Sequence, residues 1–478
     1  MQRRIRSGML AAAGTIGTAT VVLLGAPQSA QAVPSYARQT GLACEACHTV
    51  FPELTPFGRR FKLNGYLLTT KEQVTDINAQ KQSTLSLADL PPLSAMIQAS
   101  STWWNKALPD SNGNGSAQNN ETQFPQQLSL FYAGKIADHL GAFFQLTYAQ
   151  SGSAFGIDNS DIRFADSMLD NDLTYGITLN NNPTVQDLWN STPAWSGGAN
   201  AFSTPDLSQK VGTASALVAN LGQSVAGLGA YADYKNKFYV EADGYHTAYQ
   251  DTNSHAVDSS TIANNGSPTI SGIAPYWRAA YEQDWGKHSL EVGTFGMYAK
   301  AAPQNSNIGV SIGDNGYNTY LDNALDAQYQ YIGDDNIFTM QASLIHEYQN
   351  NATNGLAANA TDSLNQWNLT GTYYYRRKYG ASISFNRVGG SSDTGLYGKG
   401  SSTAAGGSAN GSPSSQFEIF ELDYMPWLNT KLLAQYTAYN WINGNRSDYN
   451  GGDLNGSGIP PRNASDENTA MIGLWTAF

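Results

Sequence analysis

The chain has 478 residues, a formal charge of −12, 47 glycines and 11 % aromatic side chains, but only 13 % charged residues, against about 25 % in an ordinary soluble domain. The acidic balance excludes a nucleic-acid binder, and no stretch past the N-terminus stays apolar for the about 18 residues a membrane helix needs. A closed barrel stays open as an architecture, because its strands satisfy their backbone groups laterally and hide their apolar character in alternation.

In chain order, Arg3, Arg4 and Arg6 precede an apolar run from Met9 to Ala26 and then Ala30-Gln31-Ala32. Basic, apolar and small-residue segments in that order predict a secretory signal over residues 1–32, with the mature chain starting at Val33. Cleavage removes three basic and no acidic residues, which takes the charge to −15.

The next feature is Cys44-Glu45-Ala46-Cys47-His48, and it contains both cysteines of the chain. This is C-x-x-C-H, the attachment pattern of haem c. On a helical turn positions i, i+3 and i+4 share a face, so Cys44 and Cys47 can bond one porphyrin while His48 reaches its iron. A redox-active dithiol, half a zinc site or a plain disulfide are the competing readings; none needs the following histidine, and no second cysteine pair completes a zinc site. For the distal position, Met96 is the only thioether or imidazole between His48 and His139. Ordinary strand packing is the bland reading of that methionine, and Lys62, water or an open position compete with it. The predicted cytochrome segment, 33–93, is small for a free-standing core and is expected to dock on the rest of the chain.

From residue 94 to 478 the sequence falls into short alternating stretches. Leu140, Ala142, Phe144, Leu146 and Tyr148 oppose Gly141, Gln145 and Thr147; Phe238, Val240 and Ala242 oppose Glu241 and Asp243; Leu290, Val292 and Tyr298 oppose Glu291 and Gly293. Period-two patterning with charge on one face fits a wall between lipid and a polar lumen. Seven short turns are expected near Ala137, Asp170, Lys235, Trp285, Asp334, Tyr379 and Trp427. Between them lie eight longer polar loops at about 106–121, 152–156, 180–222, 251–271, 302–316, 351–360, 389–415 and 443–466. Fifteen connections join sixteen strands. The last residues, Ala470 to Phe478, alternate and end on an aromatic residue, as bacterial outer-membrane barrels do. The expected fold is all-β, a 16-stranded antiparallel outer-membrane barrel with a small helical monohaem segment docked on it; that this segment is plugging the barrel or at its mouth is what the family resemblance given below implies.

Lumen-facing Glu241, Asp243 and Glu291 are candidates for attracting Fe(II) or helping to release Fe(III), with a generally polar lumen as the bland reading. Asp187 with Asn180 to Asn182 is a candidate constriction. His139, His246, His255, His288 and His346 show no metal-ligand spacing and read as rim or surface residues.

Arg38-Gln39-Thr40-Gly41 before C-x-x-C-H, then Pro52, Leu54-Thr55-Pro56, Gly58, Phe61-Lys62 and Gly65-Tyr66, followed by some 385 strand-rich residues, resemble the outer-membrane fused monohaem cytochrome-porins of iron-oxidising bacteria. Gly176 to Thr184 adds a less specific likeness within the barrel. The resemblance implies one haem c, a plugged sixteen-stranded pore, Fe(II) as extracellular electron donor, and a periplasmic cytochrome or copper protein as acceptor. It implies an outer-membrane oxidoreductase in contact with lipid. A porin with a haem-containing plug, a conduit for another donor, and a soluble electron carrier fused to a β-rich domain are the other readings to separate.

Overall fold

The computed structural model describes residues 34–50, 53–68, 92–107, 120–149, 154–183, 215–248, 270–301, 316–351, 357–398, 408–449 and 461–478. The leader expected over 1–32, Asp187 and His255 lie outside them.

Sixteen antiparallel strands close into a barrel. They run as β1 Leu93–Trp104, β2 Asn120–Ala137, β3 Leu140–Ala149, β4 Ala154–Met168, β5 Leu173–Asn180, β6 Val225–Tyr234, β7 Phe238–Thr247 and β8 Ala274–Trp285. The second half comprises β9 His288–Ala301, β10 Asn318–Ile332, β11 Asn336–Asn350, β12 Thr361–Tyr375, β13 Tyr379–Gly390, β14 Ser415–Trp427, β15 Thr430–Trp441 and β16 Thr469–Ala477. Each strand pairs with its chain neighbours, and β1 closes on β16 with Met96 opposite Ala477 and Trp104 opposite Thr469.

The strand count and the seven short turns agree with the sequence reading. Several turns use left-handed backbone, at Leu169, Asp170 and Asn171, at Lys235 and Asn236, at Gly286, and at Arg376 and Arg377. Such conformations match the twist of tightly connected strands. The loop expected at 152–156 is shorter than read: β4 begins at Ala154. The Ser-Gly-Ser run hid this, because Phe155 and Ile157 already belong to the outward face of the strand.

Alternation has the predicted sense. Val240, Val292, Leu325, Ile383 and Leu422 are exposed on the outside, while Glu241, Asp243, Glu291, Asp326 and Glu421 are buried inside. Around the short-turn end Tyr234, Phe238, Trp285, Tyr373, Tyr375 and Tyr379 form an exposed aromatic belt.

Three helices fill the short-turn end of the lumen: α1 Pro34–Thr40, α2 Cys44–Cys47 and α3 Pro56–Leu63. Above them a layer of charged side chains crosses the lumen. A 3-10 turn, Leu217–Asn220, then enters from the long-loop end and buries Leu217, Val218 and Leu221 among Tyr245, Tyr276, Phe295 and Met297. Its amides are satisfied by the wall: Leu217 N donates to Glu347 at 2.6 Å and Val218 N to Asp322 at 2.8 Å. Buried amides of an inserted segment need such acceptors.

Candidate haem site

The C-x-x-C-H turn and α3 are built as one unit. His48 N donates to Cys44 O at 2.9 Å, closing the turn, and His48 bridges to Leu54 in antiparallel fashion. Thr55 is the N-cap of α3: its hydroxyl accepts from Gly58 N at 3.1 Å and donates to Ala46 O at 2.7 Å, while its amide donates to Cys47 O at 2.9 Å. Pro56 follows at the first helical position, where its missing N–H costs nothing. Gly58 then faces Cys47 so closely that a Cβ would lie 2.2 Å from the carbonyl oxygen. The motif residues around C-x-x-C-H therefore have a local task, which is to press α3 onto the Cys44–His48 turn.

Between these elements lies a solvent-open cavity lined by Cys44, Cys47 and His48, by Tyr36, Phe61, Tyr66 and Phe143, and by Lys62. A mostly apolar lining with a few placed polar groups is the usual make-up of a cofactor pocket. Aromatic packing shapes the wall: Tyr36 stacks on Tyr66 at 5.6 Å and meets Phe61 edge-on at 5.2 Å. Cys44 and Cys47 are not joined to each other. Burial, then the neighbouring Cys44, pushes the Cys47 thiol up to about 11, the opposite of the lowered value that activates a redox dithiol. These residues fit a haem: two thiols one helical turn apart, an imidazole beside them and an aromatic enclosure.

The two distal-ligand candidates occupy different places. Lys62 lines the cavity. Met96 is buried on β1 in a cluster with Phe61, Tyr66, Phe131, Phe143 and Trp475, and is not among the lining residues. Met96→Leu is accordingly expected to leave the oxidised-haem absorption spectrum unchanged; loss of a thioether-to-iron band in the variant would show that Met96 is a ligand after all.

Long-range contacts hold the unit in the lumen. Arg59 forks onto Glu282 at 2.8 and 3.2 Å and also donates to Gln330, Ser289 and Leu54 O. Gln39 donates to Ala133 O at 2.8 Å, Tyr36 to Ala142 O at 3.1 Å and Tyr66 to Asp161 at 2.6 Å. In the β12–β13 turn, Arg377 donates to Thr49 O at 3.0 Å and reaches Glu45 at 3.7 Å. Ala43 and Glu45 remain exposed, so the attachment turn faces out of the short-turn end. The docking expected of this small segment is thus extensive.

Of the acidic candidates, Glu291 is paired, accepting from Arg278 at 3.1 Å, whereas Glu241 and Asp243 feel Arg163 only from beyond ion-pair distance. Asn180 accepts from Tyr245 at 3.0 Å. His139, His246 and His346 are exposed, and His288 stacks on Trp285. Among the described residues no three of His, Cys, Asp and Glu form a metal-binding group.

No protein-family model and no curated protein matches the sequence. Solved structures do share the barrel. The outer-membrane channel DcaP of Acinetobacter baumannii matches at 11 % identity over 81 % of this chain and 96 % of that one, with a TM-score of 0.46. Salmonella typhi OmpF in complex with daunomycin matches at 12 % identity, 81 % and 97 % coverage and 0.44. An anion-selective porin from Comamonas acidovorans matches at 13 %, 81 % and 98 %, and 0.43. At such identity the likeness concerns fold alone.

Proposed function

We propose that this chain is an outer-membrane electron-transfer protein of a Gram-negative bacterium. In this reading it oxidises a soluble extracellular donor, Fe(II) in the first instance, and delivers the electron to a periplasmic cytochrome or copper protein. The observation that carries the reading is the cavity in which Cys44, Cys47 and His48 meet an aromatic wall inside a closed barrel.

A haem c held there supplies reversible one-electron exchange. Cys44 and Cys47 would hold it covalently and His48 would ligate its iron; of the two further candidates Lys62 lines the cavity and Met96 does not, so Lys62 would be the one at hand. Tyr36, Phe61, Tyr66 and Phe143 keep the site dry. The Arg377 clasp keeps the attachment turn at the rim, where a periplasmic partner can approach. Such outer-sphere chemistry needs no general acid or base.

Insertion in the outer membrane rests on the exposed apolar outer face and the aromatic belt at the short-turn end. Strand lengths of 8 residues in β5 to 18 in β2 suit a segment that crosses a bilayer with about 9–11 tilted residues. The plug below and the inserted turn above favour an electron conduit over a solute porin, since both occupy the path a solute would take.

The test is anaerobic stopped-flow mixing of the detergent-purified, oxidised protein with Fe(II), following the reduced-haem bands, with His48→Ala as control. Rapid reduction that is lost in the variant is the expected result. Slow or absent reduction by Fe(II), in protein that a strong chemical reductant still reduces, would remove Fe(II) as donor. The porin reading with a haem plug would then take precedence.

A further inference from the structure

Along β7 the side chains that point into the lumen mark three levels. Tyr239 packs with Tyr231 and with Leu63 of α3, and Tyr245 packs in the cluster of the inserted turn. Six residues of strand, roughly 20 Å, separate them, and Glu241 and Asp243 occupy that interval, 5 % and 6 % exposed. Glu241 interacts with Tyr239 and with Asp243, and Arg163 acts on both carboxylates from further off, yet none of the four carboxylate oxygens meets a donor in full hydrogen-bonding geometry. The hydroxyl of Tyr276, which stands opposite Asp243 on β8, is likewise without a hydrogen-bond partner.

The cations of this layer are engaged elsewhere. Arg163 binds Asp161 at 2.6 Å; Arg278 binds Asp326 at 2.5 Å and Glu291 at 3.1 Å. Room for the pair is provided from β6, where a Cβ on Gly229 would fall 1.2 Å from an Asp243 oxygen. Two buried carboxylates side by side, neither in an ion pair, are costly, and the oxygen atoms gathered around them are those a hard cation prefers.

We propose that Glu241 and Asp243 bind one hard divalent cation, which keeps part of its hydration shell, with the phenols of Tyr239 and Tyr276 receiving that shell. A small hard cation such as Mg(II) keeps several waters and binds through one or two carboxylates, with phosphate where a substrate brings one, so two carboxylates can serve as its protein ligands. The site stands whether or not the haem reading is correct, because it is read with an ion that donates no electron to the haem.

The experiment is titration of the full-length, detergent-purified protein with Mn(II), following the electron paramagnetic resonance of the free ion, with Mg(II) as competitor. One Mn(II) per chain should be taken up saturably and displaced by Mg(II). Glu241→Gln with Asp243→Asn should weaken uptake by at least about tenfold, as losing even an outer partner does at a metal site, while heat-modifiable migration shows the barrel intact. Absence of saturable uptake by the native protein, or equal uptake by the double variant, overturns the proposal. Should the double variant fail to assemble, the two single variants decide: unchanged affinity in both overturns it.

Discussion

Arg59→Ala is expected to free the helical plug while leaving the barrel closed. The guanidinium is 2 % exposed and joins α3 to three strands through Glu282, Ser289 and Gln330, with Glu291 3.7 Å away. Taking one member from a buried ion pair leaves an uncompensated charge, at a cost of about 3–5 kcal/mol. That cost falls on docking, because the β8–β9 and β9–β10 ladders do not involve α3. Limited proteolysis of folded protein reads it: the native plug should resist cleavage, and the variant should lose it while keeping heat-modifiable migration. Arg59→Lys should recover little, since a point charge cannot replace a forked, multiply bonded group. Native resistance in Arg59→Ala would show that the plug is held by other contacts. Arg60 offers a contrast, pairing with Asp284 at 2.5 Å with both side chains about one-third exposed, where solvent leaves an ion pair little net worth.

The second large effect is expected from Gly58→Ala. The added methyl would stand 2.2 Å from Cys47 O and 3.0 Å from its carbonyl carbon, both backbone atoms that cannot rotate away. Overpacking typically costs about 1–3 kcal/mol, and a backbone-on-backbone clash belongs at the upper end. Relief requires α3 to lift from the attachment turn, carrying Phe61 and Lys62 away from the cavity they line. On the proposed haem reading, the absorption spectrum and midpoint potential of the group held at Cys44 and Cys47 should therefore change in a protein whose barrel is intact. A native spectrum and potential in this variant would mean that the close approach is not what sets the haem environment.

The barrel was legible because its information is local. Alternation along β7 and β9 and left-handed turn residues such as Lys235-Asn236 are read within a few residues of one another. C-x-x-C-H is equally local. What could not be read was pairing across the lumen: Arg59 and Glu282 are 223 positions apart, and Tyr66 and Asp161 are 95 apart, and nothing in either neighbourhood points to the other. Gly58 and Gln39 stand within recognisable motif residues, but their tasks emerge only once the surfaces they touch are known. The inserted turn had a signal that went unused: Ala216-Leu217-Val218-Ala219 is an apolar island in a loop otherwise rich in Asn, Ser and Gly. Met96 is a candidate in the sequence as the only thioether or imidazole between His48 and His139, and order along the chain says little about which strand face meets the cavity.

The plug precedes β1 in the chain yet is fastened to β2, β4, β8, β9, β10 and the β12–β13 turn, most of the way around the wall. A segment held from so many sides is positioned by the wall as a whole and not by the strand that follows it, so a shift in any of these strands is felt at Cys44, Cys47 and His48: the barrel grips the C-x-x-C-H turn as a chuck with several jaws grips a tool.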